Sequence, residues 1–491
     1  MQPIEKLSQE RLKKLNKIRR SGIDPYPAKT QRTYINKEAL DKFNKLSKIK
    51  KKITLVGRIR SIRSHGKIAF SHIKDDSGSI QLLLKKDILG KDQYELFKNF
   101  DIGDFIQATG VLFKTKAGEK TLEVQKIRML AKSLAPLPEK WHGLKDEEER
   151  FRRRYLDIMF NPEVREMIIK KGVFWNAVRE FLREREFVEV ETPVLENTPG
   201  GADARPFVTH HNALDIDVYL RISTGELWQK RLMAAGFEKT FEIGRQFRNE
   251  GIDIEHLQDY TQMEFYWAYA DYKDGMKLVE EMYKYVAKKT FNTLKFKIGK
   301  FNINLEKRWP KYEYCYLVKK YAGINVFNTN LKEVKKKIKE LRIPHKEKNF
   351  NINRAIDNVW KYCRKKIVGP CFVIKVPITL SPLAKNDEDN PKLAQRFQVI
   401  IAGSELGNGY SELNDPIDQA KRFEEQEKLR KAGDEEAQMS DVEFVEALEY
   451  GMPPTCGFGM SERVFSFLMN KSARECQIFP LLRPKKHHDK K

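Results

Sequence analysis

The stretch FEIGRQFRNEGIDIEHLQDYTQMEFYWAYADY (241–272) constrains this chain most. Its alternation predicts two antiparallel strands joined by a loop at about 251–259. Successive side chains of a strand point to opposite faces. Phe241, Ile243 and Phe247 therefore share one face of the first strand, and Arg248 and Glu250 lie on the other. On the second strand Met263, Phe265 and Trp267 share a face, opposite Tyr260, Gln262, Glu264 and Tyr266. One face belongs to a core. The other gathers an arginine, two glutamates and two tyrosines. Arg245 falls on the apolar face, and the pattern does not account for it. A guanidinium can hold a carboxylate or a phosphate through two parallel hydrogen bonds, so the polar face suits a zwitterionic substrate beside a nucleotide. The solvated side of a half-buried sheet would show the same alternation.

At 491 residues the chain is long enough for more than one domain. Residues 53–132 carry short alternating runs, with Ile53, Leu55, Gly57 and Ile59 first, then Ile80, Leu82 and Leu84, then Ile106, Ala108, Gly110 and Leu112. About five such strands predict a small OB-fold barrel, a common platform for unpaired nucleotides. Residues 133–150 read as a linker, with Pro136, Pro138 and the acidic run 146–149. Residues 151–491 read as one large α and β region, so the whole chain is assigned to the α+β class. Its predicted elements include a helix over 163–186, with Met167, Phe174, Val178 and Phe181 on one side. Strand pairs are expected at 241–270 and 397–413, and a lysine-rich helix with a solvated face over 331–348.

The chain has 93 Lys and Arg against 69 Asp and Glu, a formal net charge of +24, which favours a polyanionic partner such as nucleic acid. Residues 1–52 form a basic helical arm, with 16 Lys and Arg against 5 Asp and Glu. Ile4, Leu7, Leu15 and Ile18 lie roughly on one face of a helix over 3–20. That helix either packs on the body with its lysines in solvent or grips RNA phosphates. The five cysteines are odd in number, which argues against a disulfide framework and fits a reducing compartment, and no two ligands sit at zinc-finger spacing, which argues against a zinc site. Neither a secretory pattern nor a membrane-spanning run is seen, so a cytoplasmic protein with no membrane partner is expected.

FRNEG (247–251), followed by an aromatic-rich strand, resembles motif 2 of the class II aminoacyl-tRNA synthetases. FVEVETPVLENTPGGADARPF (187–207) resembles their motif 1, and CGFGMSERVFSFL (456–468) their motif 3. HHNALDIDVYLRIS (210–223), AYADY (268–272), ELGNGYSELNDP (405–416) and the segment 136–158 are similar to the lysine-specific members of bacterial type. The likeness runs from about residue 1 to 484. It implies activation of lysine by ATP to lysyl-adenylate and transfer of the lysyl group to the 3′ end of tRNA(Lys). The partners implied are ATP, L-lysine, tRNA(Lys) and a second copy of the chain.

The resemblance also implies roles. Gly201 and Glu226 would hold the α-amino group. Arg248 would bind the carboxylate and then the α-phosphate. Glu264, Tyr266 and Glu412 would surround the ε-ammonium, with Asn408 and Tyr410 completing the pocket. Glu250 and His256 would contact ATP, Tyr260 would stack on adenine, and Arg463 would face the γ-phosphate. Arg248, Glu250 and Arg463 would be the catalytic groups, and Glu405 would hold Mg²⁺. Phe70 and Gln81 would stack on and read anticodon bases, and Pro193 would lie at a homodimer interface. Charge supports the substrate independently, since two ammonium groups need at least two carboxylates.

Some positions depart from the family pattern. GFGMSER (457–463) is one residue short, with Ser461 near the third glycine. Gln398 stands where most relatives have a second acidic metal ligand, ISTGEL (222–227) is one residue longer than usual, and Lys126 replaces an acid of the anticodon site. Two rivals are a lysyl ligase acting on a protein, whose relatives lack the OB domain, and a catalytically silent RNA-binding paralogue.

Overall fold

The computed structural model describes residues 3–138, 146–251, 253, 255–344, 350–434 and 436–484, in two compact units, Met1–Lys145 and Asp146–Lys491. Outside the described residues lie the Ile4 side chain, Ile252, residues 139–145 of the expected linker and 345–348 of the expected lysine-rich helix.

In the first unit five strands close into a ring. Ile53–His65, Ile68–Lys74, Ser79–Lys85, Lys120–Ala131 and Phe105–Lys114 follow one another around it. All neighbours are antiparallel except Ser79–Lys85 and Lys120–Ala131. The alternating residues Ile59, Leu82, Leu84, Ile106, Leu122 and Val124 fill the interior. At Gly110 the register shifts, and a Cβ there would sit 1.9 Å from the Glu123 carbonyl oxygen. Only glycine allows the two strands to close at that point.

The basic segment is part of this unit's packing. Ile18, Ala39, Phe43 and Leu46 join the same core as the strands. The helix Pro3–Arg20 buries Leu15 and Ile18 but leaves Leu7 47% exposed, so only its C-terminal half is covered.

In the second unit the sheet has eight strands. In spatial order they are Lys311–Glu313, Cys371–Pro377, Leu393–Ile401, Ser404–Ser411, Thr455–Ser461, Asp259–Ala268, Lys239–Phe247 and Val188–Glu189. The pairings are antiparallel except at the two edges. One face carries Phe241, Phe265, Phe397 and Phe458, packed with Phe174 and Met282 from the helices Pro162–Arg183 and Tyr272–Phe291. Met167, Val178 and Phe181 are buried there as their spacing predicts.

The strand pair read from sequence holds, with Phe241 opposite Phe265, Glu242 opposite Glu264 and Gly244 opposite Gln262. Arg245 now has an explanation: it ion-pairs with Asp259 at the solvated end of the pair. The acidic run 146–149 does not remain irregular. Asp146 accepts hydrogen bonds from the amides of Glu148 and Glu149 at 2.7 and 3.1 Å and opens the helix Glu147–Arg152. Carboxylates favour a helix start because the first amides lack partners and the dipole is positive there.

Three helices, Tyr314–Ala322, Leu331–Glu340 and Ile352–Arg364, have their own core of Val318, Val334, Ile338, Val359 and Trp360. The middle one buries Val334 and Ile338 and turns most of its lysines outward. No helix among the described residues is long and apolar enough to cross a membrane.

Candidate active site

The polar face of the eight-stranded sheet floors a cleft of about 1370 Å³. Every residue of this unit assigned by resemblance to lysine, ATP or metal lines it. Pro193 alone lies elsewhere, exposed beside Val194 and Leu195, which are 41% and 49% exposed.

The deepest part of the cleft is acidic. Glu226 opens the helix Glu226–Ala234 and is 6% exposed, while Glu264 on the second strand of the pair is 4% exposed and Glu412, just past Ser404–Ser411, is 1% exposed. Glu264 accepts hydrogen bonds from the Thr224 amide at 2.8 Å, the Gln262 side chain at 2.5 Å and the Tyr266 hydroxyl at 3.0 Å. Tyr410 donates to Glu226, and Asn408 accepts from Arg396 Nε at 2.7 Å.

Burial and the neighbouring Glu226 push the Glu264 carboxyl up to about 7. Burial pushes Glu412 well above the usual range; Lys230 opposes the shift and the Glu226 and Glu264 charges add to it. Glycines floor the pocket. Gly201 has φ +86°, and a Cβ there would meet Ser223 Oγ at 2.6 Å and Glu226 Cβ at 2.7 Å.

Lys230 was not foreseen. Its ammonium, 1% exposed, sits 2.8 Å from Glu226 Oε1 and 2.6 Å from Glu412 Oε2. Its spacing from Glu226 resembles an ordinary surface i,i+4 pair. Nothing local shows that this helix face turns into the cleft.

Elsewhere the cleft is lined by arginines among acidic residues. Arg248 donates to the Ile222 carbonyl at 3.3 Å, and its guanidinium lies 5.9 Å from the centre of the Tyr260 ring. Arg463 begins the helix Arg463–Leu468, ion-pairs with Glu255 and donates to Ser404 Oγ at 2.7 Å. Burial raises Glu255, but Arg463 and the Ser404 hydroxyl outweigh it and hold the carboxyl below its usual range. Glu255 was also missed, because it belongs to an irregular loop with no periodicity to read. His256, in the same loop, pairs with Asp253 at 2.8 Å. Glu250 lies near the start of that loop.

Gln398 and Glu405 face each other across the strands Leu393–Ile401 and Ser404–Ser411. The Gln398 amide donates to Glu405 Oε2 at 3.0 Å, and Arg364 lies 3.3 Å from the same oxygen. Gln398 Oε1 is buried without a hydrogen-bond partner. That oxygen beside a carboxylate fits a hard cation, which takes oxygen ligands. Among the described residues no group of three or more His, Cys, Asp and Glu side chains is placed to hold a metal.

On the first unit, Phe70 is 37% exposed, so it is not an interior residue of the ring. It shares a sheet face with Gln81, since Phe70 pairs with Leu83 and His72 with Gln81. Glu119 braces this face, accepting from Gln81 at 2.6 Å and lying 3.0 Å from His72 Nε2. Thr121 donates to Gln81 Oε1 at 2.7 Å. Lys126 is exposed on the strand Lys120–Ala131.

A family model described as class II tRNA synthetases (D, K and N) matches residues 146–483, and one described as an OB-fold nucleic acid binding domain matches 53–130. The chain is 44% identical to a lysine–tRNA ligase of Thermotoga maritima, over 99% of this chain and 98% of that one. It is 44% identical to that of Carboxydothermus hydrogenoformans, over 99% of each chain. With that of Thermoanaerobacter pseudethanolicus the identity is 45%, over 98% of this chain and 97% of that one.

Proposed function

The chain belongs to the class II family of lysine–tRNA ligases, and we infer that its cleft carries out both steps of that activity. In the first step the lysine carboxylate attacks the α-phosphorus of ATP in line; pyrophosphate leaves and lysyl-adenylate forms. In the second, the terminal ribose hydroxyl of tRNA(Lys) attacks the activated carbonyl and AMP departs. Neither step needs a nucleophilic side chain, so catalysis rests on positioning and on stabilising charge. The observation that supports lysine most is the buried set of three carboxylates, Glu226, Glu264 and Glu412, in a cleft that also holds Arg248.

In this reading Arg248 orients the substrate carboxylate and then follows its charge onto the α-phosphate. Glu226 and Gly201 take the α-ammonium. Glu264, Glu412 and Tyr266 take the ε-ammonium, with Asn408 and Tyr410 closing the pocket. Tyr260 stacks on adenine, and Glu250 and His256 contact the nucleotide. Arg463 exchanges Glu255 for the γ-phosphate. Glu405, with the amide oxygen of Gln398, would hold Mg²⁺, which neutralises phosphate charge. Phe70 and Gln81 contact anticodon bases.

We also propose a cytoplasmic homodimer. The five thiols, all free, suit a reducing compartment. The exposed apolar residues Val188, Val194, Leu195 and Val208 around Pro193 suit a dimer face. Sedimentation at micromolar concentration should give a dimer, and a fully active monomer would overturn that assignment. ATP–pyrophosphate exchange with each of the twenty amino acids tests the activity. Lysine alone should support rapid exchange, and exchange independent of lysine would refute the reading.

A further inference from the structure

We propose that Lys230 is the resident counter-ion of the amino-acid pocket, fixing Glu226 and Glu412 and setting the pocket's charge to match a substrate with two ammonium groups. The proposal rests on the pocket assignment above.

Lys230 lies one turn after Glu226 on the helix Glu226–Ala234. Its ammonium hydrogen-bonds Glu226 Oε1 at 2.8 Å and ion-pairs with Glu412 Oε2 at 2.6 Å. The rings of Tyr410 and Phe444 stand 5.5 and 5.8 Å from it. A desolvated ammonium between aromatic rings is tolerated only where carboxylates pair with it. Burial works against its charge, but Glu226 and Glu412 raise its pKa, so it remains an ammonium.

The two carboxylates divide their oxygens. Each gives one to Lys230. The others turn toward glycines of the cleft floor: a Cβ on Gly457 would lie 2.1 Å from Glu412 Oε1, and one on Gly201 would lie 3.0 Å from Glu226 Oε2. Lys230 is thus a positioning residue, behind the acids rather than against the substrate.

With all three carboxylates ionised, as two substrate ammonium groups require, the single ammonium of Lys230 leaves two negative charges. A lysine whose carboxylate is met by Arg248 brings two positive charges, and the pocket closes neutral. Without Lys230, one buried carboxylate would lack a partner and would have to take up a proton. The other groups facing this cluster do not supply the missing charge. Burial keeps Tyr266, Tyr410 and Cys456 protonated. Arg396 is engaged with Asn408, the Leu380 carbonyl and Ser381, and Asp441, which caps the helix bearing Phe444, is tied to Arg231.

The test uses the full chain with Lys230→Met and Lys230→Met/Glu412→Gln, read by ATP–pyrophosphate exchange between pH 6 and 9. Lys230→Met should raise the lysine KM at least tenfold at pH 8 and change the ATP KM less than twofold. Its lysine KM should fall as the pH is raised, over a range displaced above that of the wild type, since carboxylates that Lys230 no longer holds ionised must release a proton when the substrate ammonium groups bind. The double variant removes the unmatched carboxylate. Its lysine KM should be at least tenfold lower than the product of the two single effects, and the added pH dependence should disappear. If Lys230→Met alone does not fold, the double variant still decides, by its pH profile beside Glu412→Gln. Unchanged lysine KM and pH profile in Lys230→Met, additive losses, or a double variant that keeps the displaced pH dependence would overturn the proposal. Failure of wild-type exchange to depend on lysine would overturn the pocket assignment instead.

Discussion

Glu412→Gln isolates the charge of one pocket carboxylate while keeping its shape. Glu412 is 1% exposed, and its backbone amide is held by the Thr455 carbonyl at 2.7 Å, so the side chain has little freedom to move aside. Removing one partner from a buried ion pair costs about 3–5 kcal/mol. The loss of pairing with Lys230 falls on the free and the bound protein alike and cancels from the dissociation constant. What remains is the missing partner of the substrate ε-ammonium. The wild-type carboxyl is pushed up by burial, so part of its binding energy is spent in releasing a proton. The lower end of the range therefore applies, about 3 kcal/mol, or roughly a hundredfold in lysine affinity at 1.4 kcal/mol per decade. Equilibrium titration with lysine at pH 7, beside the ATP KM from pyrophosphate exchange, separates the two substrates. Lysine affinity within threefold of wild type would refute the reasoning, as would an equal loss for ATP.

The Glu264 carboxyl, held up at about 7, must ionise to pair with an ammonium, so lysine affinity should fall as pH drops through 7, approaching tenfold per unit, and Glu264→Gln should flatten that slope. For folding the sign is opposite: the native state keeps a proton that the unfolded chain has lost above about 4.5, so this group's contribution to ligand-free stability declines as pH rises from there through 7; thermal melting across that range checks it. Gln398→Glu adds a carboxylate beside Glu405 and should lower the Mg²⁺ concentration for half-maximal exchange; an identical titration would mean that position 398 does not face the metal. Phe70→Ala should weaken tRNA binding by about 1–3 kcal/mol through lost stacking and leave its salt dependence intact, while Gln81→Ala should relax discrimination among anticodon variants. Replacing the exposed Lys6, Lys13 and Lys17 by glutamine should flatten the salt dependence for all tRNAs alike; aminoacylation of native and anticodon-swapped transcripts at two salt concentrations separates the two effects.

Periodic segments were legible because their partners are local. The pair around 248–258, the helix over Met167 and Phe181, and the ring strands all carry a repeat that burial on one face enforces. Contacts remote in sequence left no such trace. Ile18, Phe43 and Leu46 sit in a basic segment, and only the folded ring shows that they complete its core. Lys230 has the spacing of a surface pair with Glu226, and nothing in that spacing marks the turn of its helix toward Glu412, a residue remote in sequence. Asp146–Glu149 read as irregular because charge masked a helix start. Glu264 and Glu412 could be placed by motif, but their elevated pKa values arise from mutual proximity and burial, which spacing alone does not encode.

The clasp of Glu255 and Ser404 on Arg463 bears on how the nucleotide enters. In the free protein that arginine already holds an anion. If it receives the γ-phosphate, binding there is an ion exchange, one acid handed off for another. Such an exchange sets free few solvent ions at this point, so the ATP KM should respond to ionic strength less than an unoccupied arginine would dictate. It also makes the loop carrying Glu255 a reporter, because the carboxylate that is displaced must find a new position whenever the nucleotide is seated.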